Sequence, residues 1–378
     1  MRVVRVFGTL GLTLLLAVSP AAAQGQPPVR IGLSAPLTGS DAAFGQGMRI
    51  GAEQAVADLN RAAGPGGRRF ALVVADDAGE IRQGVAVARR FAGDGIRLVV
   101  GPLESSVVAA VAPVYDEAGA VLVAPGAAYA PLTGRGLAGL FRLAPSDAQQ
   151  GLAAGAYLAG LHGGRPIAIV HDRTTFGRGL AEAVSGALKA AGNPEVLFEG
   201  VARGARDAPE LIASLKAAGP AAVYFGGLAP EAAMLVRALR EAGLSATFVS
   251  GDGILDRDFA TAAGAAGEGT VMTLPAEPRR LPDPRSPGRP VPRSPEADAV
   301  AAGAYAAVEL LAQAVERARS ADGRKVADAL HGDVPFRTVM GEVAFDAKGD
   351  TRRGDLVLRV WRRTPDGRLD YAGNEPAP

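Results

Sequence analysis

A repeated alternation of short apolar strands with helical patterns of about a dozen residues constrains this chain more than any other feature. One block of alternating patterns covers residues 29–128, and a second, similar block covers residues 167–253. Such alternation produces βαβ units, because a parallel strand needs a helical crossover to return to the same sheet. The sequence therefore predicts an α/β protein built from two doubly wound parallel sheets.

Local signals predict the limits of individual elements. A helix is predicted over residues 46–60 in the first block and over 178–191 in the second. The stretch 277–295 is rich in Pro, Arg and Ser, which resists both helix and sheet and predicts a surface loop. Final strands are predicted over 341–345 and 356–361.

One strand end in the first block is suited to an anion. Leu98–Val100 is a short apolar run that ends at Gly101-Pro102, and a helical pattern follows Ser105 and Ser106. A serine at the N-cap, the unpaired N–H groups of the first turn and the helix dipole together favour a carboxylate. The alternative is an ordinary βα turn whose serines only cap the helix.

The amino terminus has the pattern of an export signal. Arg2 and Arg5 precede an apolar run over residues 6–18, and Ala21-Ala22-Ala23 follows. The run is shorter than the ~20 apolar residues of a membrane span, which disfavours a membrane anchor. A signal peptide over residues 1–23, cleaved near Ala23, is therefore predicted, and with it a periplasmic location.

Composition and motifs exclude several classes of protein. The formal charge of +1 gives no attraction to nucleic acid, and the absence of cysteine excludes disulfides and a lipid-modified cysteine. No phosphate-binding loop or serine-hydrolase elbow is present, and residues 45–51 only loosely echo a dinucleotide fingerprint. His162, His171 and His331 lack the spacing of a zinc site. We therefore expect no enzyme activity, no cofactor and no metal.

Ligands of doubly wound sheets bind beyond the carboxyl ends of the strands. Two lobes that face each other with these edges would form a cleft for a small molecule. His171-Asp172 and Asp76-Asp77 also lie at strand ends. We interpret the first pair as loop hydrogen bonding rather than catalysis, and the second as turn caps rather than a metal site.

Several dispersed motifs resemble one known family, the periplasmic leucine/isoleucine/valine-binding proteins of ABC transporters. The similarity extends over nearly the whole chain after the signal. The matching stretches are residues 51–60 (Gly-Ala-Glu-Gln-Ala-Val-Ala-Asp-Leu-Asn), 76–78, 167–172, 224–227 and 345–350.

The resemblance implies two α/β lobes that are joined by three crossings and close on a ligand like a hinged trap. Lobe one would comprise residues 26–145 plus 276–354. Lobe two would comprise residues 146–275 plus 355–378.

The resemblance also implies a ligand site. Ser105 matches the serine that holds the α-carboxylate, Gly126 matches a carbonyl that accepts from the α-amine, and Asp252 matches the acidic partner of that amine. The predicted contacts further include Leu103 and four positions that lack the hydroxyl groups of the family, which are Phe44, Ala128, Phe176 and Leu228.

These departures from the family leave the identity of the ligand open. The resemblance implies a monomeric solute-binding protein that delivers a branched-chain or other apolar amino acid to the permease and ATPase subunits of an ABC transporter. The lost hydroxyls also admit an amine-free aliphatic or aromatic acid or amide. A further alternative is an exported sensor or regulator with the same fold.

Overall fold

The computed structural model describes residues 27–64, 67–255, 257–275, 282–283, 286–290, 295–352 and 356–376. The strands are β1 (Val29–Ala35), β2 (Phe70–Asp76), β3 (Leu98–Val100), β4 (Val121–Ala124), β5 (Leu140–Arg142), β6 (Ile167–His171), β7 (Leu197–Gly200), β8 (Ala222–Gly226), β9 (Thr247–Ser250), β10 (Val271–Pro275), β11 (Pro282–Asp283), β12 (Ser286–Pro290), β13 (Phe336–Thr338), β14 (Gly341–Val343), β15 (Leu356–Val360), β16 (Arg362–Arg363) and β17 (Leu369–Asp370). The helices are α1 (Ala42–Ala62), α2 (Ile81–Gly93), α3 (Ser105–Glu117), α4 (Asp147–His162), α5 (Thr175–Ala190), α6 (Pro209–Ala218), α7 (Ala229–Glu241), α8 (Arg257–Ala263), α9 (Pro295–Ala318) and α10 (Gly323–Leu330).

The first lobe is built on a parallel sheet with the strand order β2-β1-β3-β4-β5. Strands β3 and β4 are buried along their whole length, as expected for parallel strands that are covered by helices on both faces. The order places the ends of β1, β3 and β4 side by side at the carboxyl edge of the sheet.

The second lobe is built on a sheet with the order β15-β10-β9-β8-β6-β7. Its strands are parallel except for β15, which pairs antiparallel with β10. The predicted α/β class with two doubly wound sheets is confirmed. Strand β10 was not predicted, although Val271 to Leu274 is a buried and mostly apolar run.

The order of the described elements places three passages between the two lobes, after β5, after β10 and before β15. After the second passage, α9 packs against α1 of the first lobe. A Cβ at Gly51 would collide with the carbonyl group of Ala301, so glycine allows these two helices to approach closely. The predicted lobe boundaries, 26–145 plus 276–354 and 146–275 plus 355–378, stay a prediction.

Two helices begin earlier than the local pattern indicates. Helix α1 begins at Ala42 instead of residue 46, and it includes Gly45, which reads as a loop residue in the sequence. A Cβ at Gly45 would collide with the carbonyl group of Pro36, so this glycine serves packing inside a helix. Helix α5 begins at Thr175 because the hydroxyl of Thr174 accepts from the N–H of Gly177 over 3.0 Å and caps it.

The loop predicted over residues 277–295 is wrong in part. Strands β11 and β12 pair antiparallel within this stretch. The rest of the stretch before Pro295 lies outside the described residues, as does the predicted signal peptide over residues 1–23. The predicted last strands are confirmed in shorter form, as β14 and β15.

Candidate functional site

Ser105 lies at the carboxyl edge of the first sheet, where β3 passes into α3. Gly101 has a φ of 88°, and a Cβ there would collide with the carbonyl oxygen of Ser34 on β1. The helix begins at Ser105 itself, and Glu104 is the N-cap residue, without a side-chain capping bond. The predicted serine cap is therefore wrong. The Ser105 hydroxyl instead accepts from the N–H of Tyr129 over 3.3 Å.

Other predicted residues of the first lobe surround this helix start. A Cβ on Gly126 would lie 2.6 Å from Cδ1 of Leu103, so the leucine side chain rests on the backbone that follows β4. Phe44, on the first turn of α1, is half-buried and packs against the same apolar core as Leu103. The loops after β3 and β4 therefore bring Leu103, Ser105 and Gly126 together, with α1 beside them.

The predicted residues of the second lobe also lie together. Asp252 follows β9, and Leu228 follows β8 at the N-cap of α7. A Cβ on Gly253 would lie 3.0 Å from Cε1 of Phe176 and would collide with the carbonyl oxygen of Gly227. Phe176 and the β8 loop therefore pack directly against the turn that carries Asp252. That these residues contact a ligand stays a prediction, as it does for those of the first lobe.

The Asp252 carboxylate has an unusual environment. Its Oδ1 is buried and has no hydrogen-bond partner among the described residues. Burial raises the pKa of Asp252 to about 6, and the side chain of Gln150 opposes this by favouring the ionised form. A carboxyl group held in this way would gain from a cation that the ligand supplies.

A charged cluster joins the two lobes beside the predicted site. Arg203, which follows β7 in the second lobe, forms an ion pair with Asp41 of the first lobe, with Nη2 and Oδ1 2.8 Å apart. Burial, together with the neighbouring Asp41 carboxylate, raises the pKa of Glu104 to about 8, although Arg203 acts to lower it. Burial disfavours the charge of Arg203, but the pKa of Arg203 is raised overall by Asp41, Glu104, Asp172 and Glu231.

Arg142 is an organising residue of the first passage between the lobes. Its side chain is 2% exposed and forms an ion pair of 2.6 Å with Asp350, near the third passage. The same guanidinium donates to the carbonyl oxygens of Ala128 over 3.1 Å and Tyr129 over 2.7 Å. The guanidinium therefore fixes the loop after β4, which carries predicted ligand contacts. The Ala128 carbonyl oxygen is already engaged as its hydrogen-bond acceptor.

Asp147 connects the β4 loop to the second lobe. Its Oδ1 accepts from the N–H of Ala130 over 2.7 Å, and its own N–H donates to the carbonyl of Ala128 over 2.8 Å. Burial raises the pKa of Asp147 to about 6. Tyr129 reaches the second lobe as well, because a Cβ on Gly179 of α5 would lie 2.8 Å from its ring.

Sequence reasoning missed Arg142, Asp147, Gln150 and Arg203. A local signal existed for part of this set, since Ser146 and Gln149 form a capping box and mark the start of α4. Nothing in the sequence around Arg203 indicates that it reaches a residue 162 positions away.

Both strand-end pairs form hydrogen bonds within their loops. The Nδ1 of His171 accepts from the N–H of Arg173 over 3.0 Å. Asp76 accepts from the N–H groups of Leu37 and Ala78, and Asp77 accepts from that of Gly79. Across the described part of the chain, no group of three or more His, Asp or Glu side chains could hold a metal ion. No helix of that part is both long and apolar enough to cross a membrane.

Two α/β lobes, with Ser105 at the start of a helix in one and the Asp252 carboxylate after a strand of the other, are the architecture of a two-lobed solute-binding protein. The sequence profile of the family described as periplasmic binding protein matches residues 28–365. The chain belongs to this family, and the resemblance seen in the sequence is confirmed.

The relatives and solved structures agree with this assignment. The Leu/Ile/Val-binding protein homolog 2 of Brucella abortus (strain 2308) is 40% identical over 350 residues, which cover 91% of this chain and 93% of that protein. An amino acid binding protein of Pseudomonas aeruginosa is 41% identical over 341 residues, covering 88% and 90%.

Three solved structures share the fold. A leucine-binding protein of Thermotoga maritima has a TM-score of 0.78 at 23% identity and covers 91% of this chain and 97% of its own. An ABC transporter substrate-binding protein of Desulfitobacterium hafniense in complex with Leu has a TM-score of 0.71 at 27% identity, covering 91% and 100%. A solute-binding protein of Rhodopseudomonas palustris in complex with 4-hydroxybenzoate has a TM-score of 0.77 at 19% identity, covering 91% and 95%.

Proposed function

We propose that this protein captures an apolar α-amino acid, such as a branched-chain one, by closing its two lobes, and delivers it to an ABC transporter. The observation that carries the proposal is Asp252, whose buried Oδ1 has no partner within the described residues. Ser105, at the first turn of α3, supplies a hydroxyl and the positive end of a helix for the ligand carboxylate. The proposed pair of contacts is specific for a group that carries both charges.

The walls of the proposed cleft select an apolar side chain. Phe44, Leu103, Phe176 and Leu228 supply rings and aliphatic groups without a hydroxyl. Ala128, which is 1% exposed, adds only a methyl group. An apolar side chain of the ligand can therefore pack against these groups, whereas a polar side chain would lose its hydrogen bonds to water without gaining others from them.

The deciding experiment compares ligands with and without the amine. Isothermal titration calorimetry with L-leucine and with 4-methylpentanoate, which is leucine without its amine, is performed on the wild type and on Asp252→Asn. We expect the substitution to weaken L-leucine by ~30-fold or more and to leave 4-methylpentanoate nearly unchanged, because only the amine loses a buried charged partner. Asp258→Asn, a change at an exposed carboxylate of α8, is the matched control and leaves both affinities unchanged.

The second candidate ligand is an amine-free aliphatic or aromatic acid or amide. It is favoured by the missing hydroxyls at the positions of Phe44, Ala128, Phe176 and Leu228, and by the fold shared with a protein that binds 4-hydroxybenzoate. A wild type that binds 4-methylpentanoate or 4-hydroxybenzoate more tightly than L-leucine would establish this alternative and make Asp252 a structural residue.

The remaining parts of the proposal are supported by membership of the family and, for the cleavage, by the signal pattern of the amino terminus. The protein acts in the periplasm as a monomer after cleavage near Ala23, has no enzyme activity, and passes its ligand to permease and ATPase subunits. Recovery of ligand uptake in membranes that contain a matched permease and ATPase, only when this protein is added, tests transport directly. Signalling without uptake would instead favour an exported sensor.

A further inference from the structure

One peptide group in the loop after β4 is hydrogen-bonded from both sides. Its N–H, that of Tyr129, donates to Oγ of Ser105 over 3.3 Å. Its carbonyl oxygen, that of Ala128, accepts from Nη1 of Arg142 over 3.1 Å and from the N–H of Asp147 over 2.8 Å. This peptide group therefore lies between a cation and the hydroxyl that is predicted to bind the ligand carboxylate.

The guanidinium of Arg142 is itself held in one orientation. Its Nη1 donates to the carbonyl oxygen of Tyr129 over 2.7 Å as well as to that of Ala128. Its Nη2 donates to Oγ1 of Thr133 over 3.1 Å and to Oδ1 of Asp350 over 2.6 Å. Because the side chain is only 2% exposed, water screens its action on the two carbonyl groups very little.

A cation on a carbonyl oxygen polarises the whole peptide group. Hydrogen bonds in a buried chain strengthen one another, so the bond from Arg142 makes the Tyr129 N–H a stronger donor. The hydroxyl of Ser105 accepts this bond with a lone pair, which turns its proton away from Tyr129. The hydroxyl is thereby oriented and polarised as a donor for an anion at the start of α3.

We propose that Arg142 is a positioning residue for carboxylate binding, which acts through the Ala128–Tyr129 peptide to direct the Ser105 hydroxyl at the ligand. The proposal rests on the proposed role of Ser105 in holding the carboxylate, and it does not depend on the amine contact of Asp252. Arg142 thus has a role in affinity in addition to its support of the first passage between the lobes.

The first measurement follows this peptide group by NMR in ligand-free protein. Alanine labelled at its carbonyl carbon and tyrosine labelled at its backbone nitrogen together select Ala-Tyr peptides. The sequence contains three of them, at residues 128–129, 156–157 and 304–305. Tyr129→Phe assigns the first signal, and the other two, which lie within α4 and α9, are internal references.

The variant Arg142→Lys keeps the positive charge and gives up the planar fork of donors. Its ammonium group is drawn to the Asp350 carboxylate and leaves the carbonyl groups. We expect the amide proton of Tyr129 to move upfield, because the carbonyl of the same peptide loses a charged donor. An unmoved Tyr129 signal would overturn the proposal.

The second measurement is affinity, by calorimetry with L-leucine. We expect Arg142→Lys to bind about fivefold more weakly than the wild type, which corresponds to one hydrogen bond. In the Ser105→Ala background the same change should alter affinity less than about twofold, because the hydroxyl through which it acts is gone. Equal losses in both backgrounds would make Arg142 merely structural and would overturn the proposal.

Two further variants complete the test. If Arg142→Lys does not fold, Thr133→Val keeps Arg142 and removes one acceptor that orients it, so both readouts should move in the same direction by less, and no movement would overturn the proposal. Arg97→Met is the matched control, because Arg97 also donates to carbonyl oxygens, those of Ala92 over 2.9 Å and Ile96 over 3.4 Å, but before β3 instead of after it. It should change neither the Tyr129 signal nor the affinity.

The two proposals fail in different ways. L-leucine and 4-methylpentanoate share the carboxylate, so the coupling between positions 142 and 105 is measured with both ligands. If the wild type prefers 4-methylpentanoate and the coupling is present, the amino-acid function is wrong and the role of Arg142 stands. If the wild type prefers L-leucine and the coupling is absent, the proposed function stands and the role of Arg142 does not.

Discussion

Replacing Arg203 with Met is expected to weaken ligand binding although Arg203 is not a predicted ligand contact. The Arg203–Asp41 ion pair spans the two lobes at 2.8 Å, and the two side chains are 33% and 10% exposed. In its burial, this pair is intermediate between two kinds of ion pair. An exposed pair contributes less than ~1 kcal/mol, and disruption of a buried pair costs ~3–5 kcal/mol. We therefore expect a loss of ~1–3 kcal/mol of closure free energy, which is ~5- to 150-fold in affinity.

The assay is a double-mutant cycle by calorimetry with L-leucine. It compares the wild type, Arg203→Met, Asp41→Asn and the double variant, because Arg203→Met alone also leaves carboxylates without their cation. The matched control is Arg178→Met, which removes an exposed ion pair with Glu182 on α5 and should cost less than ~0.5 kcal/mol. A coupling energy below ~0.5 kcal/mol between positions 203 and 41 would refute the reasoning that this pair stabilises the closed lobes.

Four further predictions follow from the structure and the sequence. Ser105→Ala should weaken a carboxylate ligand by ~1.5–3 kcal/mol in calorimetry, because a hydroxyl donor to a charged group is lost, and an unchanged affinity contradicts the assignment. Glu104→Gln should stabilise the protein relative to the wild type, and increasingly so as the pH rises from 4.5 towards 8. The raised pKa of Glu104 means that the native wild type holds a proton that its unfolded chain has already released in this range, so the wild type loses stability as the pH rises. A difference in melting temperature between the two proteins that is the same at every pH would contradict this. Arg142→Leu should lower the free energy of unfolding by ~3–5 kcal/mol in urea, because Asp350 and two carbonyl groups lose a buried partner, and a cost below ~1 kcal/mol would show that the passage does not depend on it. The exported protein should begin at Gln24 in amino-terminal sequencing, and retention of Met1 would rule out signal cleavage.

Local signals in the sequence determined the elements whose limits depend on their own residues. Strand β3 occupies the apolar run Leu98–Val100 that ends at Gly101-Pro102, and β14 and β15 begin at the predicted residues 341 and 356. The alternation of such runs predicts a parallel sheet in each block, because parallel strands require crossovers. The position of Ser105 at a strand end was readable for the same reason.

Only the tertiary structure decided which distant residues meet. Helix α1 begins early because Gly45 packs on Pro36, and Ser105 loses its capping role because the β4 loop supplies the N–H of Tyr129. Arg203 and Asp41 are separated by 162 positions, and Gln150 and Thr273 by 123. The periodicity of the sequence indicates which face of a helix or strand a residue lies on. Which distant residue contacts that face depends on how the lobes pack, and no local sequence pattern determines this.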